Sequence, residues 1–268
     1  MGKEIYISME EDLSKYNPEG STLRESQLRM LEILKAVDKV CRENDIPYFL
    51  ESGTLLGAVR HGGFIPWDDD IDISVMLSDY PRLRKVLQEQ LPSTMVFQDI
   101  TTDPNYPMLI AKVRDTKSYF EEEYTHKLQH KGLYIDIFPL EKVPCWKWKQ
   151  ILDYLYGHCV RALHNYSNKA DKIRSAFVYP FAKVLVLLTR LINKVIPTTK
   201  ISYQYGRKTY VRYDLKDIFP LKEMSFEGYS FLVPNNPDAL LKTCYGDYMQ
   251  VPPPDKRITH TGKIEFYD

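Results

Sequence analysis

The stretch F-I-P-W-D-D-D-I-D-I-S-V, Phe64 to Val75, sets four aspartates within five positions, among residues that favour burial. Like charges repel, and a carboxylate leaves water at a cost unless a positive partner offsets it. Two arrangements meet that constraint: a solvated acidic loop, or a strand whose carboxylates surround a cation. Side chains alternate on a strand, so Asp70, Asp72 and Ser74 share one face while Ile71, Ile73 and Val75 share the other. The isoleucines can anchor the strand in a core, which makes a surface loop a poor account of Asp70 and Asp72. Asp68 and Asp69, just after Pro66, fit a solvated turn instead.

A second strand candidate, Leu133 to Phe138, carries one carboxylate, Asp136, between apolar residues. Paired beside the first strand it would bring a third oxygen donor to Asp70 and Asp72. Carboxylates a pleat apart suit a hard divalent cation. Two carboxylates shared by two Mg²⁺ ions, with a third on one of them, serve in-line displacement at phosphorus. Asp136 depends on that pairing and is otherwise an ordinary strand residue.

Upstream, Pro47 introduces a short strand, Tyr48 to Glu51, then the turn Ser52-Gly53-Thr54 and a short helix, Leu55 to Val59. A turn that opens a helix presents backbone N–H groups and a hydroxyl, a combination that suits phosphate, although most Gly-Thr turns are only turns. Thr22 and Glu25 form a capping-box pattern before a helix that carries Leu28, Leu31, Leu34 and Val37 on one face and runs to about Asn44. Further helices are expected over 79–91 and 238–244, and strands over 95–98, 109–113 and, as a pair, 217–234. The chain divides into a polar lead-in (1–20), a core (21–144), a helical region (145–213) and a closing part (214–268).

Composition excludes several classes. With 36 basic and 36 acidic residues among 268, the net charge is zero, which gives no basic excess for nucleic acid. Four scattered cysteines without a C-x-x-C pair disfavour structural zinc and a disulfide framework, and fit a reducing cytosol. The polar, acidic start carries no signal-peptide pattern, so a cytoplasmic protein is expected. The most apolar stretch, 177–196, is interrupted by Lys183, Arg190 and Lys194, whose spacing of seven and four puts them on one helical face. That pattern suits a helix covering the sheet, or one lying peripherally on the inner face of the cell membrane.

The block Gly53-Thr54-Leu55-Leu56-Gly57-Ala58-Val59-Arg60, followed by Gly63-Phe64-Ile65-Pro66-Trp67-Asp68-Asp69-Asp70-Ile71-Asp72, closely resembles the signature of the LicD family of phosphocholine transferases, relatives of fukutin and fukutin-related protein. The resemblance continues through Lys112-Val113-Arg114-Asp115, Tyr134 to Leu140 and Tyr245 to Met249 with Pro252, Pro253 and Arg257. It implies an α+β fold, a nucleotidyltransferase-like mixed β-sheet flanked by helices, with a helical insertion in the middle of the chain. It implies a Gly53–Thr54 turn on phosphate and two Mg²⁺ ions (or Mn²⁺) on Asp70, Asp72 and Asp136. The implied donor is CDP-choline, the acceptor a lipid-linked glycan such as a teichoic acid or lipopolysaccharide precursor, and the product CMP.

Arg60, Lys112, Arg114 and Arg257 are candidate phosphate clamps, each with a surface salt bridge as its plainer role. His260 is a candidate base or a solvated loop residue, and Trp67 a choline-facing ring or a packing residue. The alternatives are a transferase of the same fold with a ribitol-phosphate, glycerol-phosphate or nucleotidyl donor, and a non-catalytic nucleotide- or cation-binding module. A metal-dependent phosphatase or nuclease is a third.

Overall fold

The computed structural model describes residues 12–122, 125–166, 168–208, 211–257 and 262–267. The acidic stretch feeds directly into the centre of a sheet. In chain order the elements are α1 (Thr22–Glu43), β1 (Tyr48–Leu50), α2 (Ser52–His61), β2 (Asp72–Met76), α3 (Tyr80–Gln90) and β3 (Met95–Gln98). β4 (Ala111–Asp115), β5 (Ser118–Phe120), β6 (Tyr134–Lys142), α4 (Trp146–Arg161) and α5 (Lys169–Val195) follow. The chain continues with β7 (Lys200–Tyr203), β8 (Tyr213–Asp214), α6 (Leu215–Ile218), β9 (Lys222–Phe226), β10 (Tyr229–Val233), α7 (Pro237–Tyr245) and β11 (Ile264–Phe266).

The fold is α+β, as its family resemblance implies. Strands run in the order β1-β2-β6-β4-β3, and β7 pairs with the far end of β6 and carries β8. β2 and β6 are parallel, with Asp72 opposite Asp136, while β1, β3, β4 and β7 pair antiparallel. Alternation divides the two central strands. Ile73, Val75, Ile135 and Ile137 are wholly buried on the apolar face, which anchors β2 and β6 from below. α1 packs against β4 and β6 through an apolar stripe that includes Ile33, Leu34 and Val37, all fully buried. Asp72, Ser74, Asp136 and the cations of β4 share the opposite, polar face.

Several boundaries differ from the sequence expectation for local reasons. Ser21, not Thr22, caps α1, and its hydroxyl accepts the Arg24 N–H at 3.2 Å. α2 begins at Ser52, so Gly53 and Thr54 lie in its first turn and not ahead of it. Asp70 and Ile71 precede β2 and do not belong to it, although the Asp136 N–H donates to the Ile71 carbonyl at 2.7 Å and carries the pairing back to them. The expected strand pair 217–234 is the hairpin β9–β10, whose turn uses Glu227 and Gly228 at positive φ. The helical pattern of 145–213 ends with α5; β7 and β8 then return to the main sheet.

The reading of 177–196 needs correction. Lys183 and Lys194 face outward, but Arg190 turns inward and grips Glu141 with both arms, at 2.8 and 2.9 Å. Glu141 lies buried on β6, so the shared sheet edge decides the direction that helical spacing alone left open.

Gly57 packs α2 onto the loop that delivers the aspartates. A Cβ there would collide with the Gly63 carbonyl oxygen and crowd the Ile65 N–H. Gly57→Ala is therefore expected to destabilise the fold by about 1–3 kcal/mol, read as a lowered denaturant midpoint in a chain that still expresses.

Candidate active site

Three backbone devices bring the acidic residues together. Thr54 Oγ accepts the Asp72 N–H at 2.8 Å, and the Glu51 N–H donates to the Asp72 carbonyl at 3.0 Å. Parallel pairing then sets Asp136 level with Asp72. Gly53 allows the Asp68 carboxylate against the start of α2, because a Cβ there would lie 2.7 Å from Asp68 Oδ2. Asp68 and Asp69 do not form a solvated turn. Asp69 is buried and Asp68 nearly so, since α1 lies over the loop and Gln27 Nε2 donates to the Asp68 carbonyl at 2.9 Å.

The packed carboxylates feel one another. Burial, then Asp70, Asp136, Asp68 and Glu51, push the Asp72 carboxyl well above the usual range. Burial, followed by Asp70 and Asp69, raises Asp68 in the same way. These groups are close enough for strong repulsion, and all present hard oxygens, the donor set a divalent cation favours. Among the described residues, no three histidine, cysteine, aspartate or glutamate side chains are already drawn onto one point as a finished metal cage. Asp70, Asp72 and Asp136 are the residues that could hold such an ion.

Lys112 and Arg114 are not surface salt bridges. Both are fully buried on β4, where Lys112 Nζ lies 3.0 Å from Asp136 Oδ1 and 3.0 Å from Glu122 Oε1. Arg114 bonds Glu122 Oε2 at 2.6 Å, the Gly132 carbonyl at 2.8 Å and Gln98 Oε1 at 2.5 Å. Burial favours a neutral Glu122, but Lys112 and Arg114 more than reverse that and hold its carboxyl down at about 2. Lys112 also rides over the Tyr134 ring, 3.0 Å from its centroid. One buried cation thus balances Asp136 from the side away from Asp72.

Beside the aspartates lies a cleft of about 360 Å³, lined by Gly53, Arg60, Trp67, Asp68, Tyr245 and Lys256, among others. Arg60 borders it while donating to the Tyr248 carbonyl at 2.6 Å. Arg257 stacks between two rings, 4.9 Å from the Trp67 centroid and 5.2 Å from that of Tyr16. It also bonds the Tyr16 hydroxyl at 2.6 Å and the Pro252 carbonyl at 2.9 Å. Trp67 therefore receives a protein cation on its ring. His260 lies outside the described residues.

Sequence reasoning missed two features. Glu51, between β1 and α2, is fully buried and accepts the hydroxyls of Tyr203 and Tyr213 at 2.8 and 2.9 Å, while its second oxygen has no hydrogen-bond donor among the described residues. Burial, only partly opposed by the two hydroxyls and Arg207, pushes its carboxyl up to about 7. A glutamate abutting a Gly-Thr turn was the available signal. Tyr245, at the end of α7, has a phenol raised by burial and then by Asp72, Cys244, Asp68 and Asp70, which puts it beside the acidic cluster. The resemblance block Tyr245 to Met249 contains it, but nothing in that block assigns a role to this side chain.

A carboxylate cluster at the head of parallel strands, beside an open cleft and balanced by a buried cation at Asp136, is an arrangement suited to phosphoester chemistry. A family model described as LicD/FKTN/FKRP, nucleotidyltransferase domain, matches residues 45–187. The chain is 30% identical over 262 residues to the lipopolysaccharide cholinephosphotransferase LicD of Haemophilus influenzae, covering 89% of this chain and 96% of that protein. It is 33% identical over 142 residues to the uncharacterized protein RP689 of Rickettsia prowazekii, covering 52% of this chain and 48% of that one. A 69-residue segment is 42% identical to mouse ribitol 5-phosphate transferase FKRP, covering 25% of this chain and 14% of the relative. The protein belongs to the LicD family and is a transferase.

Two titration experiments test the site. The folded state holds Glu51 more protonated than the unfolded chain does, so its contribution to stability is lost as the pH rises from about 4.5 to about 7. Glu51→Gln should remove up to roughly 3 kcal/mol of that fall, measured as the difference between denaturant midpoints at pH 4.5 and pH 8. Asp68 and Asp72, raised likewise, make the same demand and would release it to a cation. Millimolar Mg²⁺ should then raise the melting temperature by a few °C at pH 8, by less at pH 6, and not at all in Asp72→Asn.

Proposed function

We propose that the protein transfers phosphocholine from CDP-choline to a sugar hydroxyl of a cell-surface glycan precursor, of lipopolysaccharide or teichoic acid type, and releases CMP. The observation that carries this reading is the carboxylate pair Asp72–Asp136, aligned on parallel strands beside the Gly53 cleft, in a chain similar over nearly its whole length to a lipopolysaccharide cholinephosphotransferase.

In the transfer, the acceptor oxygen bonds to the phosphorus that carries choline. The bond from that phosphorus to the CMP oxygen breaks, CMP leaves with the electron pair, and the hydroxyl proton passes to solvent. Magnesium held by Asp70, Asp72 and Asp136 would neutralise diphosphate charge and make the attacking hydroxyl more acidic. The chain's own residues supply position and balance. Thr54 fixes the Asp72 backbone, Lys112 steadies Asp136, and Arg60 and Lys256 set positive charge at the cleft for the donor's phosphates. Phosphoryl transfer asks little covalent chemistry of a protein, so such positioning accounts for most of the work. A cytoplasmic location agrees with a soluble nucleotide donor.

The segment similar to ribitol 5-phosphate transferase favours one second reading, in which the same site moves ribitol phosphate. Incubation with Mg²⁺, each cytidine-linked donor in turn and lipopolysaccharide or teichoic acid acceptors distinguishes the two by product mass. CMP release from CDP-choline that requires an acceptor is the expected result, and Asp70→Asn or Asp72→Asn should lower it on the order of a hundredfold or more. Release from CDP-ribitol alone would move the assignment to the second reading. Retained donor binding without turnover would instead make the protein a binding module.

A further inference from the structure

α5 is built inside out. Its inward stripe is mostly small or polar: Ser175, Ala182, Thr189, the half-buried Arg190 and Asn193, with Val186 packed on Leu152 and Tyr205 as its buried aliphatic contact. Thr189 Oγ accepts the Trp148 indole N–H at 3.0 Å, and Asn193 Nδ2 donates to the Lys142 carbonyl and the Tyr205 hydroxyl at 3.1 and 2.9 Å. Its outward face carries Phe177, Phe181, Val184, Leu188, Leu191 and Val195, each at least half exposed and Val195 80% so. From Ile173 to Val195 that face runs for roughly 33 Å at the α-helical rise. Scattered exposed leucines need no explanation, but a continuous apolar face of this length marks a docking surface.

We propose that this face docks in the plane of an anionic phospholipid bilayer. Charge decides among the occupants. The only acid within α5 is Asp171, which Arg174 and His158 engage at 2.5 and 3.1 Å. Lys183 and Lys194 are left exposed along the helix with no acidic side chain of α5 to balance them. A second copy meeting this face would set cation against cation, whereas anionic headgroups complement it. At the C-terminal end, a cleft of about 490 Å³ is lined by Met76, Leu77 and Leu140 together with Lys142 and Lys194. Its one acid, Glu141, is already paired with Arg190, so apolar and cationic groups are left for a lipid headgroup and its first methylenes.

α5 is long and apolar enough to cross a membrane. The bonds of its inner stripe hold it to the domain instead, and crossing would carry the Arg190–Glu141 pair into hydrocarbon. Lying flat satisfies every group: apolar side chains enter the acyl boundary, and lysines reach the phosphates. The inference does not depend on which group the enzyme transfers.

Vesicle flotation of the full chain tests it. Wild type should float with equimolar phosphatidylcholine–phosphatidylglycerol vesicles and much less with phosphatidylcholine alone. Phe177→Glu with Leu188→Glu should weaken flotation by on the order of tenfold or more while leaving the melting temperature unchanged, because both side chains already face outward. Lys183→Glu with Lys194→Glu should abolish the preference for phosphatidylglycerol. Failure of wild type to float with the anionic vesicles overturns the proposal, as does flotation of the Phe177/Leu188 variant at the wild-type level. A wild-type dimer in solution that this variant dissolves would assign the face to a second copy instead.

Discussion

Asp72 and Asp136 stand level on neighbouring parallel strands, where two carboxylates repel each other at short range through a poorly screening interior. The rest of the centre is arranged around that unfavourable fact. From below, the isoleucines of both strands fix the pair in the core, so neither strand can tilt to relieve it. From the side, Lys112 balances Asp136, and Glu122 in turn balances Lys112 and Arg114. Among the described residues, Asp72 has no such partner. It is pressed by Asp70, Asp68 and Glu51 as well, and its backbone is held at both ends by Thr54 and Glu51. The asymmetry gives the pair a direction: one carboxylate is compensated by protein, and the other is left to an incoming charge.

The buried cation network keeps Asp136 from becoming a second unbalanced charge, which would add a full desolvation cost to the fold. It also separates two roles that sequence alone merges. Lys112 and Arg114 occupy alternate positions of β4 and both look like phosphate ligands. Their burial and their bonds to Glu122, Gln98 and Gly132 make them part of the frame beneath the site. Arg60 and Lys256 sit at the cleft itself. Arg257 lies between these cases, bordering the cleft region yet committed to Tyr16 and Trp67.

Legibility in the sequence followed the range of the interactions. The alternation of Asp72, Ile73, Ser74 and Val75 is local, so the strand and its two faces were readable directly, although the strand begins at Asp72 and leaves Asp70 and Ile71 ahead of it. Asp136 was readable by analogy of pattern, but its pairing with β2 joins residues more than sixty positions apart. The solvated turn expected at Asp68 and Asp69 failed because a helix from far upstream covers it, through Gln27. Glu51 was invisible as a titrating group because its partners, Tyr203 and Tyr213, arrive from β7 and β8. Helix termini shifted by one to three residues: Ser21 caps α1 in place of Thr22, whereas α2 starts three residues early without a side-chain cap.

Arg190 illustrates the remaining limit and joins the two surfaces of the molecule. Heptad-like spacing placed it with Lys183 and Lys194, and on a free helix it would share their face. Glu141, buried on β6, takes it inward, because an unpaired carboxylate there would cost more than bending one long side chain around the helix. With Thr189, Arg190 and Asn193 drawn toward the sheet, the part of α5 from Phe177 to Val195 turns apolar side chains and two lysines outward. The same central strand that sets Asp136 in the acidic cluster therefore also determines, at its other end, what the protein presents to its surroundings.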